Sequence, residues 1–177
     1  MLTFFAVEKK RILKFLLENP EKEIKIREIA RVLNSSPAYV SRIVKILITK
    51  KIIKNNKIDL TNSLTKALKI FLNVEKLAEY KIIERIVSLN PISAGIYGSW
   101  ANGTNHEDSD LDIWVKFEKH PGEMKIASLS GKIRRVVGNV QILVLTKEKI
   151  EMLKKDDPIF YYSLVFGSII IRGEGIE

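Results

Sequence analysis

The chain has 177 residues, 46% hydrophobic and 29% charged, with a formal net charge of +9. That length allows one large domain or two small ones, and that apolar content supports a packed core, which excludes a disordered chain. There is no cysteine and there are two histidines, His106 and His120, which excludes disulfides and a Cys nucleophile and argues against a His-based metal centre.

No apolar run is long enough to span a membrane, and the start from Met1 to Glu8 turns charged too soon for a signal peptide. The expected setting is the cytoplasm, with no membrane partner. Charge is uneven: residues 1–90 carry 19 Lys+Arg against 9 Asp+Glu, and residues 91–177 carry 11 against 12. A basic half implies either an anionic partner, nucleic acid being the commonest, or a well-solvated helical surface.

Ile12, Leu13, Leu16 and Leu17 have helical spacing, and Asn19-Pro20 should stop that helix. Ile26, Ile29, Ala30 and Leu33 predict a second helix, broken at Asn34-Ser35-Ser36. Ser36 is a good N-cap and Pro37 a good first residue for a third helix, whose stripe is Val40, Ile43, Val44 and Leu47. Two short amphipathic helices joined by a tight polar turn describe a helix-turn-helix. Ser35 and Ser36 stand at the start of the third helix, and Tyr39, Ser41, Arg42 and Lys45 lie off its apolar stripe. Hydroxyls and helix-start amides suit phosphates, and Arg suits base edges in the major groove. Two β-prone runs then flank Asn55-Asn56, residues that tolerate the positive φ of a hairpin turn, and predict a wing. Residues 1–60, with 14 basic and 6 acidic side chains, resemble the winged helix-turn-helix family of regulators. The resemblance implies DNA as a partner, although winged helices also serve as protein-interaction modules.

Residues 61–90 read as mostly helical: Leu64, Leu68, Phe71 and Leu72 form one stripe, and Leu77, Ile82, Ile83, Ile86 and Val87 continue after a break near Asn73. Residues 61–74 are taken as a helical connector, and a second domain as 75–177.

Ile92–Tyr97 reads as a strand running into the turn Gly98-Ser99. Leu111, Ile113, Val115 and Phe117 then alternate with Asp110, Asp112, Trp114 and Lys116, so one face is apolar and both carboxylates point out of the other. Two like charges that close raise one pKa unless a cation lies between them, and Mg²⁺ takes one or two carboxylates plus substrate phosphates. A Gly-Ser turn can offer amides and a hydroxyl to phosphate. On the next predicted strand, Val140, Ile142 and Val144 share the core face, which turns Gln141, the sole Gln, toward the carboxylates.

Gly98, Ser99, Gly103, Ser109, Asp110 and Asp112 together resemble the DNA polymerase beta nucleotidyltransferase superfamily, and most its minimal branch. The likeness covers about residues 75–177, with the Asp157-Pro158 turn and the final Gly167–Ile171 strand. It implies an α+β fold with a small mixed sheet flanked by helices. It also implies that Gly98, Ser99 and Ser109 bind a nucleoside triphosphate and that Asp110 and Asp112 hold two Mg²⁺ ions while a nucleotidyl group is transferred. Gln141 stands where the family has a third catalytic Asp. It is neutral, can offer a carbonyl oxygen to a metal and cannot take up a proton. Glu107, Asp108 or Glu118 are candidate substitutes. The expected function is a Mg²⁺-dependent nucleotidyltransferase with a DNA-binding winged helix. The alternative is a DNA-binding regulator whose degenerate domain senses nucleotide. Members of the minimal branch often pair with a small helical toxin, a further partner type.

The remaining polar residues carry weaker expectations. Lys116 could meet phosphate, while Lys132, Arg134 and Arg135 read as a solvated helix face. Trp100 either stacks on a base or packs against its own loop. His106 reads as exposed, Asp156-Asp157 as a turn and helix cap, and Tyr161, Tyr162 and Phe166 as core.

Overall fold

A computed structural model describes residues 7–177; the reading of the first six residues lies outside them. The chain divides into two compact units, Met1–Leu72 and Asn73–Glu177. No helix among the described residues is long and apolar enough to cross a membrane.

The first unit holds helices α1 (Val7–Glu18), α2 (Ile26–Val32) and α3 (Pro37–Thr49) and strands β1 (Ile53–Lys54) and β2 (Lys57–Ile58). Ser36 caps α3 by accepting the Tyr39 amide at 3.1 Å, with Pro37 as the first helical residue. The residues picked out by helical spacing in α1 and α3 are all buried, and they pack with Ile29 and Ala30 of α2 into one core. Asn55 and Asn56 both have positive φ, +50° and +59°, the conformation a two-residue hairpin loop requires. They pair Ile53 with Ile58 and Lys54 with Lys57, and the Ile24 amide donates to the Asn56 carbonyl at 3.0 Å. The wing is thus tied to the chain ahead of α2.

Helix α4 (Ser63–Glu79) runs unbroken through Asn73; the break falls at Lys81, in the left-handed region at φ +53°, ahead of α5 (Ile82–Val87). Only part of the expected apolar stripe faces the core: Leu72 is buried and Leu68 packs beside it. Leu64 and Phe71 are exposed, whereas Thr65, Lys69 and Asn73 are buried. Burial of Lys69 and Asn73 rests on specific partners. Lys69 Nζ donates to the Leu17 carbonyl at 2.8 Å, satisfying one of the open acceptors at the end of α1.

The second unit continues with β3 (Ser93–Tyr97), α6 (Gly98–Asn102), β4 (Leu111–Lys116), α7 (Glu123–Val137), β5 (Val140–Leu145), α8 (Lys147–Asp156), α9 (Pro158–Gly167) and β6 (Ile169–Arg172). The sheet order is β5-β4-β3-β6; β4 and β5 are parallel and the other pairs antiparallel. It is the small mixed sheet flanked by helices expected from the sequence. Leu111, Ile113 and Val115 pack on one face against Ile82 and Ile86 of α5 and Leu129 and Ile133 of α7.

The opposite face is buried too, and here the expectation of a polar face needs correction. Trp114 is fully buried in a second cluster with Leu145, Ile150 of α8 and Tyr161 and Leu164 of α9. Its indole donates to Ser168 Oγ at 2.9 Å and lies where a Cβ on Gly95, its register partner, would stand. Only the end of β4 that carries the carboxylates stays open on this side. Lys116 donates to the carbonyls of Ile176 and Glu177 at 2.9 and 2.8 Å, so it ties down the chain end instead of reaching toward phosphate. In α9, Asp157 caps the helix by accepting the Phe160 amide at 3.0 Å. Tyr161 is core, but Tyr162 and Phe166 are exposed at 55% and 82%, stacked on each other with centroids 6.0 Å apart. The helix is apolar on every side while the sheet covers one side only.

Candidate functional site

The carboxylates meet at the end of β3 and the start of β4. Strand β3 ends at Tyr97, paired in register with Asp112; Asp112 is in turn paired with Gln141 on β5. Side chains two apart share a strand face, so Asp110 and Asp112 lie on one side, with Gln141 beside them. Gln141 Nε2 donates to Asp110 Oδ2 at 2.7 Å. Asp110 and Asp112 are half-buried and Gln141 is exposed.

Gly98-Ser99 is not a simple turn but opens the five-residue helix α6, which packs on β3, β4 and α9. Gly98 has φ +65°, a conformation that favours glycine. A Cβ at Gly98 would overlap Asp112 Oδ2, so its missing side chain is what lets the carboxylate sit against the backbone.

The segment between α6 and β4 is held firmly. Gly103, at φ +66°, ends α6, and the Thr104 amide donates to the Ser99 carbonyl at 3.0 Å. Ser109 Oγ accepts the His106 amide at 2.9 Å, which closes the turn just ahead of Asp110. Trp100 is buried, and its indole points to the Ser109 carbonyl at 3.4 Å; it packs against its own loop. Asn73 Nδ2 donates to the Trp100 carbonyl at 2.8 Å and to Asn105 Oδ1 at 2.9 Å, so a buried amide pair anchors α6 from beneath. His106 is exposed, as expected.

Burial, and then the charge of Asp110, raise the Asp112 carboxyl above its ordinary value. Burial and the Asp112 charge raise the Tyr97 hydroxyl as well. A cation between the two carboxylates would remove this repulsion. Among the described residues no group of three or more His, Cys, Asp and Glu side chains converges. Glu107, Asp108 and Glu118 therefore do not complete the set, and the place beside the pair is held by Gln141. Two carboxylates, one of them seated against the Gly98 backbone where a Cβ would overlap it, are the hard oxygen donors that Mg²⁺ takes beside phosphate oxygens.

Sequence reasoning missed Tyr97, whose place opposite Asp112 depends on the β3–β4 register. It also missed Asn73 and Asn105, whose pairing has no local signal.

The six residues in and just ahead of α3 differ in exposure. Arg42 and Lys45 are exposed, with the Arg42 guanidinium 5.5 Å from the Tyr39 ring centroid. Ser35, Tyr39 and Ser41 are half-buried, and Tyr39 packs against the core. The Ser36 hydroxyl is engaged in capping.

Residues 79–165 match the nucleotidyltransferase domain family, and residues 9–54 match the winged helix-turn-helix DNA-binding family. The chain joins a winged helix-turn-helix domain to a nucleotidyltransferase domain. It is also 34% identical over 58 residues to a protein of Methanocaldococcus jannaschii named "putative protein adenylyltransferase". The match spans 33% of this chain and 66% of that relative.

Proposed function

We propose that this protein is a Mg²⁺-dependent nucleotidyltransferase that moves a nucleotidyl group from a nucleoside triphosphate to a hydroxyl acceptor. The observation that carries the reading is the Asp112 carboxylate lying against Gly98, with Asp110 beside it. Asp110 and Asp112 would hold Mg²⁺, and the amides of Gly98 and Ser99 with the Ser99 and Ser109 hydroxyls would hold the triphosphate. Bound there, the ion supplies positive charge that offsets the negative charge developing on the phosphates as pyrophosphate leaves. The chain's own part is positioning. Gln141 orients Asp110 through its amide, and Tyr97 and Trp100 fix the two ends of the phosphate-facing backbone. Gln141 cannot accept a proton, so uptake of the acceptor's proton falls to the carboxylate pair. The name of the relative makes a protein hydroxyl the first acceptor to test.

The winged helix is proposed to dock on DNA with α3 in the major groove, Arg42 and Lys45 facing the duplex and the wing, with Lys54 and Lys57, beside it. The proposed setting is the cytoplasm, where NTP and DNA are both at hand.

A second reading rests on one specific observation. The Gln141 amide already engages Asp110, which weakens a second metal position and favours a DNA-binding regulator that senses nucleotide without transferring it.

Labelled ATP and Mg²⁺ with the full chain and candidate protein acceptors separate the two. Label transferred by the wild type and lost in Asp110→Asn/Asp112→Asn supports the transferase. Label seen only with Gln141→Asp supports the sensor.

A further inference from the structure

Helices α5 and α7 enclose a cleft of about 340 Å³ on the side of the sheet opposite the carboxylates. Three cationic side chains line it: Arg85 from α5 and Lys125 and Lys132 from α7. Ser88 and Ser128 add hydroxyls, Leu89 and Met124 add apolar surface, and no carboxylate lines it. Lys125 and Lys132 are seven residues apart, two turns along one helix face. Arg85 is held in place by donating to the Lys132 carbonyl, which leaves other guanidinium donors available.

This concentration of charge is local. The unit from Asn73 to Glu177 carries 14 Lys+Arg against 15 Asp+Glu, so these cations are not part of a generally basic surface. Like charges facing one cleft repel, and an anion seated between them relieves that repulsion. Volumes of roughly 300–1,000 Å³ with convergent polar groups on an apolar lining are typical of small-molecule sites. A duplex backbone would instead favour an extended basic surface.

We propose that the α5–α7 cleft is a second ligand site, which binds a small organic phosphate. Its phosphate meets Arg85, Lys125 and Lys132, and its apolar or planar part lies along Leu89 and Met124. Because α5, α7 and the sheet separate it from Asp110 and Asp112, occupancy does not depend on the carboxylate pair.

The test is calorimetric titration of the full chain in EDTA with AMP, GMP, CMP and UMP, with inorganic phosphate and with a 12-nucleotide single strand. At least one nucleoside monophosphate is expected to bind, equally well in Asp110→Asn/Asp112→Asn. Affinity is expected to fall at least tenfold in Lys125→Gln/Lys132→Gln, two exposed changes that leave the Arg85 contact to the backbone intact. Four results would overturn the proposal: no monophosphate binding, binding unmoved by the lysine pair, binding lost with the carboxylates, or binding of the oligonucleotide alone. Inorganic phosphate binding as tightly as every monophosphate would also overturn it, since the apolar contact would then contribute nothing.

Discussion

Gln141 donates its amide to Asp110 Oδ2 at 2.7 Å, across the parallel strand pair that sets Gln141 beside Asp112. Gln141 is thus bonded to one carboxylate and stands in register with the other. Burial, and then the charge of Asp110, hold the half-buried Asp112 carboxyl above its ordinary value. A cation between the two carboxylates would relieve their mutual repulsion.

That pKa shift fixes a pH dependence. An acid raised in the folded state binds more protons folded than unfolded, so its contribution to stability is largest at low pH. The contribution is lost as pH climbs from the ordinary carboxylate value through the raised one. In EDTA, Asp112→Asn is expected to raise Tm at pH 7, by about 1–2 °C, and to leave it unchanged once pH is below the ordinary carboxylate range. Calorimetry at the two pH values checks this; equal Tm at pH 7 would contradict the strain assigned to Asp112.

Gly98→Ala places a methyl group on Asp112 Oδ2 and forces a non-glycine residue to φ +65°. The backbone cost alone is about 1–2 kcal/mol, readable in urea unfolding. Nucleotide binding is expected to fall further than stability does, because the carboxylate must swing away from the phosphate cradle. Normal nucleotide affinity in this variant would remove Gly98 from the site.

Trp114→Ala empties the centre of the α8–α9 side of the sheet. Its expected cost is about 3–5 kcal/mol, measured by urea unfolding. A surface tryptophan, the kind that the alternating strand predicts, would cost much less, so a loss below about 1 kcal/mol would contradict its burial.

On the winged helix, Arg42→Ala and Lys45→Ala are each expected to weaken duplex binding with little change in Tm, since both side chains are exposed. Loss of a phosphate contact should also lower the slope of log affinity against log salt by about one unit. Ser36→Ala differs in kind. It removes the cap and costs about 0.5–2 kcal/mol of stability. Fluorescence anisotropy across a salt series, beside thermal melts, distinguishes these effects.

The parts legible in the sequence were those set by local rules. Helical spacing marked the buried faces of α1 and α3, Ser36-Pro37 marked the start of α3, and Asn55-Asn56 marked the wing turn. Alternation along β4 fixed the register and with it the shared face of Asp110 and Asp112. Illegible were features that depend on distant partners. Lys69 is buried because the Leu17 carbonyl lies within reach, and Asn73 because Asn105 and the Trp100 carbonyl do. Alternation shows that Trp114 and Leu111 face opposite ways, but not that α8 and α9 would cover the Trp114 side. In α9, apolar residues occur all around the helix, so nothing local separates buried Tyr161 from exposed Phe166. Alternation along β5 turned Gln141 toward the carboxylates, but its bond to Asp110 needed the β4–β5 register, which no single strand reveals.

The most direct measurement is calorimetric binding of ATP in Mg²⁺, at saturating AMP or whichever monophosphate fills the α5–α7 cleft, for the wild type and for Asp110→Asn/Asp112→Asn. The wild type is expected to bind ATP only with the divalent ion present, and the double variant to lose at least tenfold in affinity. Mg²⁺-independent binding, equal in both proteins, would contradict a carboxylate-held nucleotide site.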